Sequence, residues 1–397
     1  MPRARLRVLI VTPYFKPAWK YGGPVRSVWN LARGLVAAGA DVDVATTDAD
    51  PAGKVNVPAF RSEEGVSIFT FRRLFGNITK INTYYYAPSL SAFLEEKIPQ
   101  VDIVNLQGLY TWPTLDASRR CARHRIPFLI TLRGSLGSWG LRQKVLKKKL
   151  YLGIVEKKTV RLASSLHYTV SAEYEEAPEW VKHIPYIIEP NGVEFGPILE
   201  GVRWREKFKI PQEDFLIGMV GRVHPKKGID VLLEAFARIA GAEGIRLVIV
   251  GGGEPQDMRV IQNEMVRLGL SRTVTLTGHI AGGAVSEAYA AIDLLALPSR
   301  EENFGNVVIE ALAQNTPVVV SPHVGLSSWV REQKAGEVIP FDTDAWAAYL
   351  RELPRRRMDK SPHLRTIAQS HFDYCIVGQR MLEAYRGILA QPPRLIS

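Results

Sequence analysis

Two carboxylates frame part of the stretch 295–320 in a pattern that suits a ligand with several hydroxyl groups. Glu302 lies in a polar turn and Glu310 lies eight residues later, on the helix predicted to follow. Eight residues exceed two helical turns by less than one residue, so both carboxylates can face one site. The helix start between them favours an anion. The expected ligand contacts in this turn are Asn303, Phe304, Gly305, Asn306 and Val307. A nucleotide sugar has both the phosphates and the hydroxyls that this pattern requires.

A basic loop earlier in the chain could supply cations for such phosphates. The segment GRVHPKKG follows an apolar strand and carries Arg222 and Lys227, five residues apart. An arginine fork and a lysine point charge suit two neighbouring phosphates, and they would stabilise a departing diphosphate. The alternative is an exposed basic loop without a ligand.

Alternating strands and helices predict an α/β chain that must position these residues. Buried-strand patterns followed by helices recur in two series, separated by a polar linker near 194–214. This alternation is typical of parallel sheets with helices on both faces. Each half is therefore predicted to be a doubly wound domain, and an amphipathic helix is predicted from Phe372.

Several polar side chains of the first half come directly after predicted strands. In open parallel sheets, ligands gather at these strand ends. The residues so placed are Gly22, Gly23, Gln107, Arg133 and Glu173. Aromatic residues on the same loops could stack on a sugar ring or could simply pack against the protein; they are Trp19, Tyr110, Trp112 and Trp139.

Composition limits the class of protein. A chain of 397 residues suits two domains, its 46% apolar content is ordinary for a globular enzyme, and its two cysteines suggest no disulfide framework. No apolar run approaches the length that spans a bilayer, and a cytoplasmic location is expected.

The net charge of +11 is concentrated in a basic, leucine-rich segment, 142–161. This pattern suits either a helix lying on an anionic membrane surface or an ordinary solvated helix. Nucleic acid is not an expected partner because no nucleic-acid-binding signature accompanies the charge. Pairs of aspartates occur at Asp41–Asp43, Asp48–Asp50 and Asp342–Asp344, but their scatter does not predict a metal site.

Four motifs together resemble glycosyltransferase family 4. They are YGGP near the start, GRVHPKKG, GGGE, and EENFGNVVIEALA, in which two glutamates flank seven residues. The resemblance implies a GT-B fold with two Rossmann-like domains facing a central cleft. An acceptor-side domain would comprise 1–194 plus 371–397, a donor domain would comprise 195–370, and the last helix would cross back to the first domain.

The resemblance also implies retaining transfer of a sugar from a UDP- or GDP-linked donor, without a metal or cofactor. Arg222 and Lys227 would bind the diphosphate, Glu302 the sugar hydroxyls and Glu310 the ribose. The remaining donor contacts would be Gly22, Gly23, Gly252, His279 and Ile280.

The acceptor side is similar to the branch of the family that builds bacterial surface polysaccharides. The acceptor would be a glycan or a lipid-linked oligosaccharide, and the expected contacts are Arg133, Trp112, Trp139 and Glu173. Many relatives carry histidine where this chain has Gln107, which can hydrogen-bond a hydroxyl but cannot take up a proton. Arg133 would bind an acceptor phosphate or carboxylate, or form a structural salt bridge.

Two other functions stay open from the sequence. A hydrolysing nucleotide-sugar epimerase shares the architecture, and a catalytically silent nucleotide-sugar-binding subunit would tolerate the substitution at Gln107.

Overall fold

A computed structural model describes residues 5–51, 53–74, 84–136, 156–239, 244–280, 282–353 and 360–391. The chain divides into two compact units. The N-terminal unit comprises Met1–Val193 with Phe372–Ser397, and the second unit comprises Glu194–His371. Each observed limit lies one residue from the limit expected from the sequence.

The described part of the N-terminal unit contains an eight-stranded sheet in the order β10-β9-β8-β7-β1-β2-β6-β5. Its strands, together with the separate β3–β4 hairpin, are β1 (Arg7–Val11), β2 (Asp41–Thr47), β3 (Ala49–Asp50), β4 (Gly53–Lys54), β5 (Phe60–Glu63), β6 (Val66–Phe71), β7 (Ile103–Gln107), β8 (Phe128–Thr131), β9 (Ser165–Tyr168) and β10 (Tyr186–Ile188). All neighbours in the large sheet are parallel except β5, which pairs antiparallel with β6. The apolar runs of the central strands are buried, as expected for a parallel sheet covered on both faces.

The helices of this unit follow the strands in chain order. They are α1 (Gly23–Ala37), α2 (Pro88–Lys97), α3 (Trp112–His124), α4 (Lys157–Leu162) and α5 (Ser171–Glu175). The β5–β6 hairpin was not among the predicted elements; β5 is a short strand at the edge of the sheet, and none of its four residues is buried.

The second unit has a six-stranded parallel sheet in its described part, in the order β13-β12-β11-β14-β15-β16. The strands are β11 (Phe215–Val220), β12 (Ile245–Val250), β13 (Val274–Gly278), β14 (Leu294–Leu297), β15 (Val318–Val320) and β16 (Gly336–Val338). The strand order reverses between β11 and β14, as in a Rossmann fold. The helices are α6 (Val202–Lys207), α7 (Ile229–Ala237), α8 (Pro255–Arg267), α9 (Gly283–Ala291), α10 (Asn306–Leu312), α11 (Ser327–Glu332), α12 (Thr343–Glu352) and α13 (Pro362–Phe372).

The final helix, α14 (Tyr374–Leu389), packs on α1 of the N-terminal unit, which confirms the predicted return of the chain. Two buried glycines allow the two backbones to touch. A Cβ on Gly34 would overlap the Tyr374 carbonyl oxygen and lie 3.0 Å from the Gly378 Cα, and a Cβ on Gly378 would overlap the Gly34 backbone. Glycine is therefore required on both helices at this crossing.

This crossing predicts opposite effects for two glycines of α14. Gly378→Ala should destabilise the protein by about 1–3 kcal/mol, because the added methyl group forces the helices apart. Gly387→Ala is the matched control, since a Cβ there meets nothing within 4 Å. It should stabilise the protein by about 0.5–1 kcal/mol through helix propensity. Urea unfolding of the full chain measures both effects, and equal stability of the two variants would contradict the packing argument.

Candidate active site

Two loops of the second unit meet where its strand order reverses. The loop 221–228 leaves β11 and the loop 298–303 leaves β14, and these strands are neighbours in the sheet. Ligands of open parallel sheets bind at this position, outside the carboxyl ends of the strands. The loops contain three residues that the sequence assigned to the donor site, Arg222, Lys227 and Glu302.

Arg300 fastens one loop to the other. Its backbone N–H donates to the Lys226 carbonyl oxygen at 2.7 Å, and its guanidinium donates to the Pro225 carbonyl at 2.9 Å. The same guanidinium forms a bidentate pair with Asp230 at 2.8 and 2.5 Å. Such a fork fixes orientation as well as distance. The position of Lys227 is thus tied to the loop that carries Glu302.

Charge pairing continues along the two loops. Lys226 Nζ lies 3.4 Å from Glu301 Oε2, and Lys227 Nζ donates to Glu302 Oε2. The side chains of Lys227 and Glu302 are only 18% and 22% exposed, so this second pair is largely shielded from water. The structure therefore brings together the predicted phosphate cation and the predicted hydroxyl acceptor.

Glycine at position 228 permits this close approach. Its φ is +64°, and a Cβ there would overlap the Pro298 carbonyl oxygen and lie 3.0 Å from the Phe341 ring. Any other residue would be strained in this backbone conformation and would push the loops apart. The Lys227–Glu302 pair depends on this glycine.

The backbone of Glu302 is held from both sides by the loop after β15. Its N–H donates to the His323 carbonyl at 3.0 Å, and its carbonyl accepts from the Gly325 N–H at 2.8 Å. Phe304 and Gly305 are buried behind it, and Gly305 has a φ of +99°. The carboxylate is consequently presented by a rigid turn.

Glu310 lies on α10, which begins at Asn306, and it is half-buried. The Tyr289 hydroxyl donates to Glu310 Oε2 at 2.7 Å, which orients the carboxylate. Asn303, Asn306 and Val307 are also half-buried in the turn between the two glutamates.

His224 is a residue of the same loop that sequence reasoning missed. Its Nδ1 accepts from the Lys226 N–H at 3.2 Å, so a neutral ring carries its hydrogen on Nε2. Burial, followed by the charge of Arg222, lowers the pKa of His224. Arg222 itself is exposed. Arg300 was missed as well, and its only sequence signal was its position directly before Glu301 and Glu302.

The glycines of GGGE serve close backbone packing. A Cβ on Gly251 would overlap the Gly221 carbonyl oxygen, and one on Gly253 would overlap that of Val223. A Cβ on Gly252 would lie 3.3 Å from the His279 backbone nitrogen. Gly252 and His279, both predicted donor contacts, are therefore neighbours. Exposed His279 and half-buried Ile280 directly follow β13.

In the N-terminal unit, Gly22 and Gly23 stand where α1 begins. Gly22 has a φ of +78° and is exposed, and a Cβ there would meet nothing within 4 Å. Its requirement for glycine is therefore conformational. Gly23 is the first residue of the helix.

Gln107 belongs to a buried network of neutral polar groups. Its Nε2 donates to Asn105 Oδ1 at 2.7 Å and to Thr131 Oγ1 at 3.3 Å. Its Oε1 accepts from Arg133 Nε at 2.8 Å. The structure thus brings Gln107 and Arg133 into direct contact at the ends of β7 and β8.

Glu173 supports the loop that carries Arg133. One carboxylate oxygen accepts from the Gly134 N–H at 2.5 Å, and the other accepts from the Thr169 N–H at 2.8 Å and its hydroxyl at 3.0 Å. Both oxygens are thus used within the protein.

Trp112 is engaged in packing. Its indole N–H donates to Ser91 Oγ at 3.2 Å, and its ring lies edge-on to Tyr84 and Tyr86. These contacts do not include Gln107 or Arg133. Trp139 and residues 142–155 of the predicted basic segment lie outside the described residues. The described end of that segment contains Lys157, Lys158 and Arg161 on α4.

The paired aspartates of the sequence make ordinary structural contacts. Asp43 pairs with Lys97 at 2.7 Å, Asp48 pairs with Arg73 at 2.8 Å, and Asp342 caps α12. The described ranges contain no cluster of three metal-binding side chains. Within the same ranges, no helix is long and apolar enough to cross a membrane.

Comparison with known proteins gives two family matches. Residues 22–224 match the glycosyl transferase 4-like domain, and residues 202–369 match the glycosyl transferases group 1. A glycosyltransferase of uncharacterised specificity from Methanocaldococcus jannaschii, MJ1607, is 27% identical over 83% of this chain and 85% of its own length.

Solved structures have the same fold. Sucrose-phosphate synthase from Thermosynechococcus elongatus superposes with a TM-score of 0.78 at 23% identity, over 97% of this chain and 100% of that chain. HepE of Anabaena, solved in complex with UDP and glucose, superposes with a TM-score of 0.73 at 19% identity, over 96% and 100% of the two chains. The 4-like domain covers more than half of the sequence. The protein therefore belongs to glycosyltransferase family 4, as predicted, and is a hexosyltransferase-type enzyme with the GT-B fold.

Proposed function

We propose that the protein transfers a sugar from a UDP- or GDP-linked donor to a glycan or lipid-linked oligosaccharide during surface polysaccharide biosynthesis. The observation that carries the donor proposal is the Lys227–Glu302 pair at the strand-order reversal of the second unit. The binding of UDP and glucose by HepE, a protein of the same fold, supports it.

The pair exchanges partners when the donor binds. The diphosphate takes the charge of Lys227, with Arg222 as a second cation, and Glu302 is released to accept hydrogen bonds from sugar hydroxyls. Glu310, oriented by Tyr289, accepts from the ribose hydroxyls. A largely shielded lysine stabilises the charge that develops on the departing diphosphate more strongly than an exposed one would.

Transfer proceeds with retention and without a metal or cofactor in this proposal. The acceptor hydroxyl oxygen bonds to the sugar carbon on the face that the diphosphate leaves. The bond from that carbon to the phosphate oxygen breaks, and the hydroxyl proton moves to the departing phosphate. Gln107 is compatible with this path because the phosphate, not a side chain at that position, takes the proton.

Membership of the transferase family favours this function over the epimerase and over the silent subunit. On the acceptor side, the proposal includes binding of the protein to an anionic membrane surface through the segment 142–161. Support for this comes from the exposed Lys158 and Arg161 at its described end.

A panel of nucleotide sugars tests the donor site. A UDP- or GDP-linked sugar at 100 times its Kd should stabilise the protein by about 2.7 kcal/mol, which is read as a thermal shift. Glu310→Ala should lose most of this shift, whereas Tyr289→Phe should lose a smaller part because the carboxylate remains. If no nucleotide sugar or nucleoside diphosphate changes the melting temperature, the proposed function is wrong.

Glu302→Gln should separate diphosphate binding from sugar transfer. The substitution releases Lys227 from its ion pair, so UDP or GDP should bind at least as tightly as to wild type. Turnover should fall by about a hundredfold or more, because a pre-positioned charged group is lost. Glu301→Gln is the matched control, since its carboxylate pairs with Lys226 on the same two loops, at 3.4 Å. It should retain turnover within about threefold, because neither Lys226 nor Glu301 is assigned a contact with the ligand. Weaker nucleotide binding by Glu302→Gln would refute the exchange of partners.

Liposome flotation tests the membrane surface. The full chain should float with vesicles containing anionic lipid and not with neutral vesicles, and added salt should release it. Lys158→Gln combined with Arg161→Gln should weaken binding by about thirtyfold, given about 1 kcal/mol for each basic residue near the surface. Flotation that is absent or independent of salt would remove the membrane from the proposal.

A further inference from the structure

Arg133 is a cation that forms no ion pair with a carboxylate among the described residues, although the charge of nearby Glu173 partly opposes the lowering of its pKa. Its Nε donates to Gln107 Oε1 at 2.8 Å, and a second nitrogen lies 3.4 Å from Asn191 Oδ1. Both partners are neutral amides. Burial lowers the pKa of Arg133 to about 10, so the guanidinium is partly stripped of water and still charged at neutral pH. Holding a desolvated charge that makes no direct ion pair is costly.

The carboxylates of the surrounding loops are committed elsewhere. Glu173 uses both oxygens to accept from Gly134 and Thr169. Glu189, two residues before Asn191, pairs with Arg380 at 3.1 Å. The structural salt bridge that the sequence left open for Arg133 is therefore not formed within the described part of the chain.

The orientation of Gln107 is dictated from the far end of the chain. Tyr385 on α14 is fully buried, and its hydroxyl accepts from Asn105 Nδ2 at 2.6 Å. The oxygen of Asn105 consequently faces Gln107 and accepts from its Nε2. The remaining amide atom of Gln107, its oxygen, is thereby directed to Arg133. The network holds the guanidinium by a dipole and does not neutralise it.

His167 strengthens this arrangement. Its Nε2 lies 2.9 Å from the Glu189 carbonyl oxygen, which can only accept, so Nε2 carries the hydrogen. Nδ1 then accepts from the Thr131 hydroxyl at 3.0 Å. Burial lowers the pKa of His167 to about 4, and the ring stays neutral at physiological pH. The side chains that hold the Nε2 of Gln107, Asn105 and Thr131, and the His167 ring behind Thr131 are thus all uncharged.

We propose that Arg133 binds an anionic oxygen group, a phosphate or a carboxylate, that the acceptor substrate carries. This inference rests on the proposed function, since it names a chemical class for the acceptor of the same reaction. Arg133 lies just past β8 and contacts Gln107, the last residue of β7, and Asn191, which follows β10, at the edge of the sheet where ligands bind. Gln107 is a positioning residue that aims the guanidinium through its amide oxygen.

Titration with simple anions tests the site without a known acceptor. The protein is first saturated with UDP or GDP, whichever stabilises it, so that the donor cations are occupied. Sodium phosphate and sodium acetate are then titrated separately at constant ionic strength, with sodium chloride as the balance, and the melting temperature is followed. At least one of the two anions should raise it, and the one that does identifies the group as phosphate or carboxylate.

Three variants locate the response. Arg133→Gln should need at least about tenfold more anion for the same shift, as a charge-assisted hydrogen bond contributes about 1.5–3 kcal/mol. Gln107→Glu places a carboxylate against the intact guanidinium and should also lose the response. Arg125→Gln is the matched control and should keep it, because Arg125 is exposed and shares the left-handed backbone of Arg133, with φ values of 57° and 51°.

The outcomes separate the two proposals. A response that survives in Arg133→Gln or Gln107→Glu, or wild-type protein that responds to neither anion, overturns the anion site. If neither UDP nor GDP gives any stabilisation, the proposed function fails on its own. The anion titration is then repeated without nucleotide in the Lys227→Ala variant, whose donor loop has lost one cation. A response that is present in Lys227→Ala and lost when Arg133→Gln is added still supports the anion site.

Discussion

The contact between Gly228 and the Pro298 carbonyl oxygen is the constraint on which the site of the second unit depends. It brings the loops after β11 and β14 together at the reversal of strand order. Arg300 then locks one loop to the other through backbone carbonyls and Asp230. The shielded Lys227–Glu302 pair follows from these two facts. In the proposed function this lysine and this carboxylate exchange each other for a ligand whose phosphates and hydroxyls satisfy both.

The N-terminal unit holds its cation in a different way from the second unit. It holds a cation, Arg133, with amide dipoles in place of a carboxylate. His167 is neutral, and Glu173, whose charge acts on the guanidinium, makes its hydrogen bonds to Gly134 and Thr169 and forms no ion pair with Arg133. One unit thus holds its cation in an ion pair, which opens in the proposed function, whereas the other holds its cation against neutral amides. The second arrangement costs folding free energy, which the buried hydrogen bonds of the network offset.

Local sequence patterns predicted much of the fold and part of the candidate site. The alternation of apolar strand patterns with helical patterns predicted two domains built on mostly parallel sheets. The spacing of Glu302 and Glu310 placed both on one turn and helix. The rest depends on contacts between distant residues. Two of the three partners of Glu173 are backbone N–H groups, which every residue except proline carries, so no side-chain pattern predicts them. Arg300 reads as one more surface charge until Asp230, 70 residues away, is seen beside it. The aromatic loop residue Trp112 could have stacked on a sugar, and only its contacts with Tyr84 and Tyr86 reveal its packing role.

The return of the chain to the N-terminal unit bears on how the protein is made. Asn105 and Tyr385 are 280 residues apart, and α14 fills the groove that Gly34 opens on α1. The second unit, by contrast, is one continuous segment. During synthesis that segment can fold as soon as it leaves the ribosome, whereas the first unit waits for the last helix. The unit that begins first is therefore completed after the second, because Asn105 gains its Tyr385 partner only once α14 has been made.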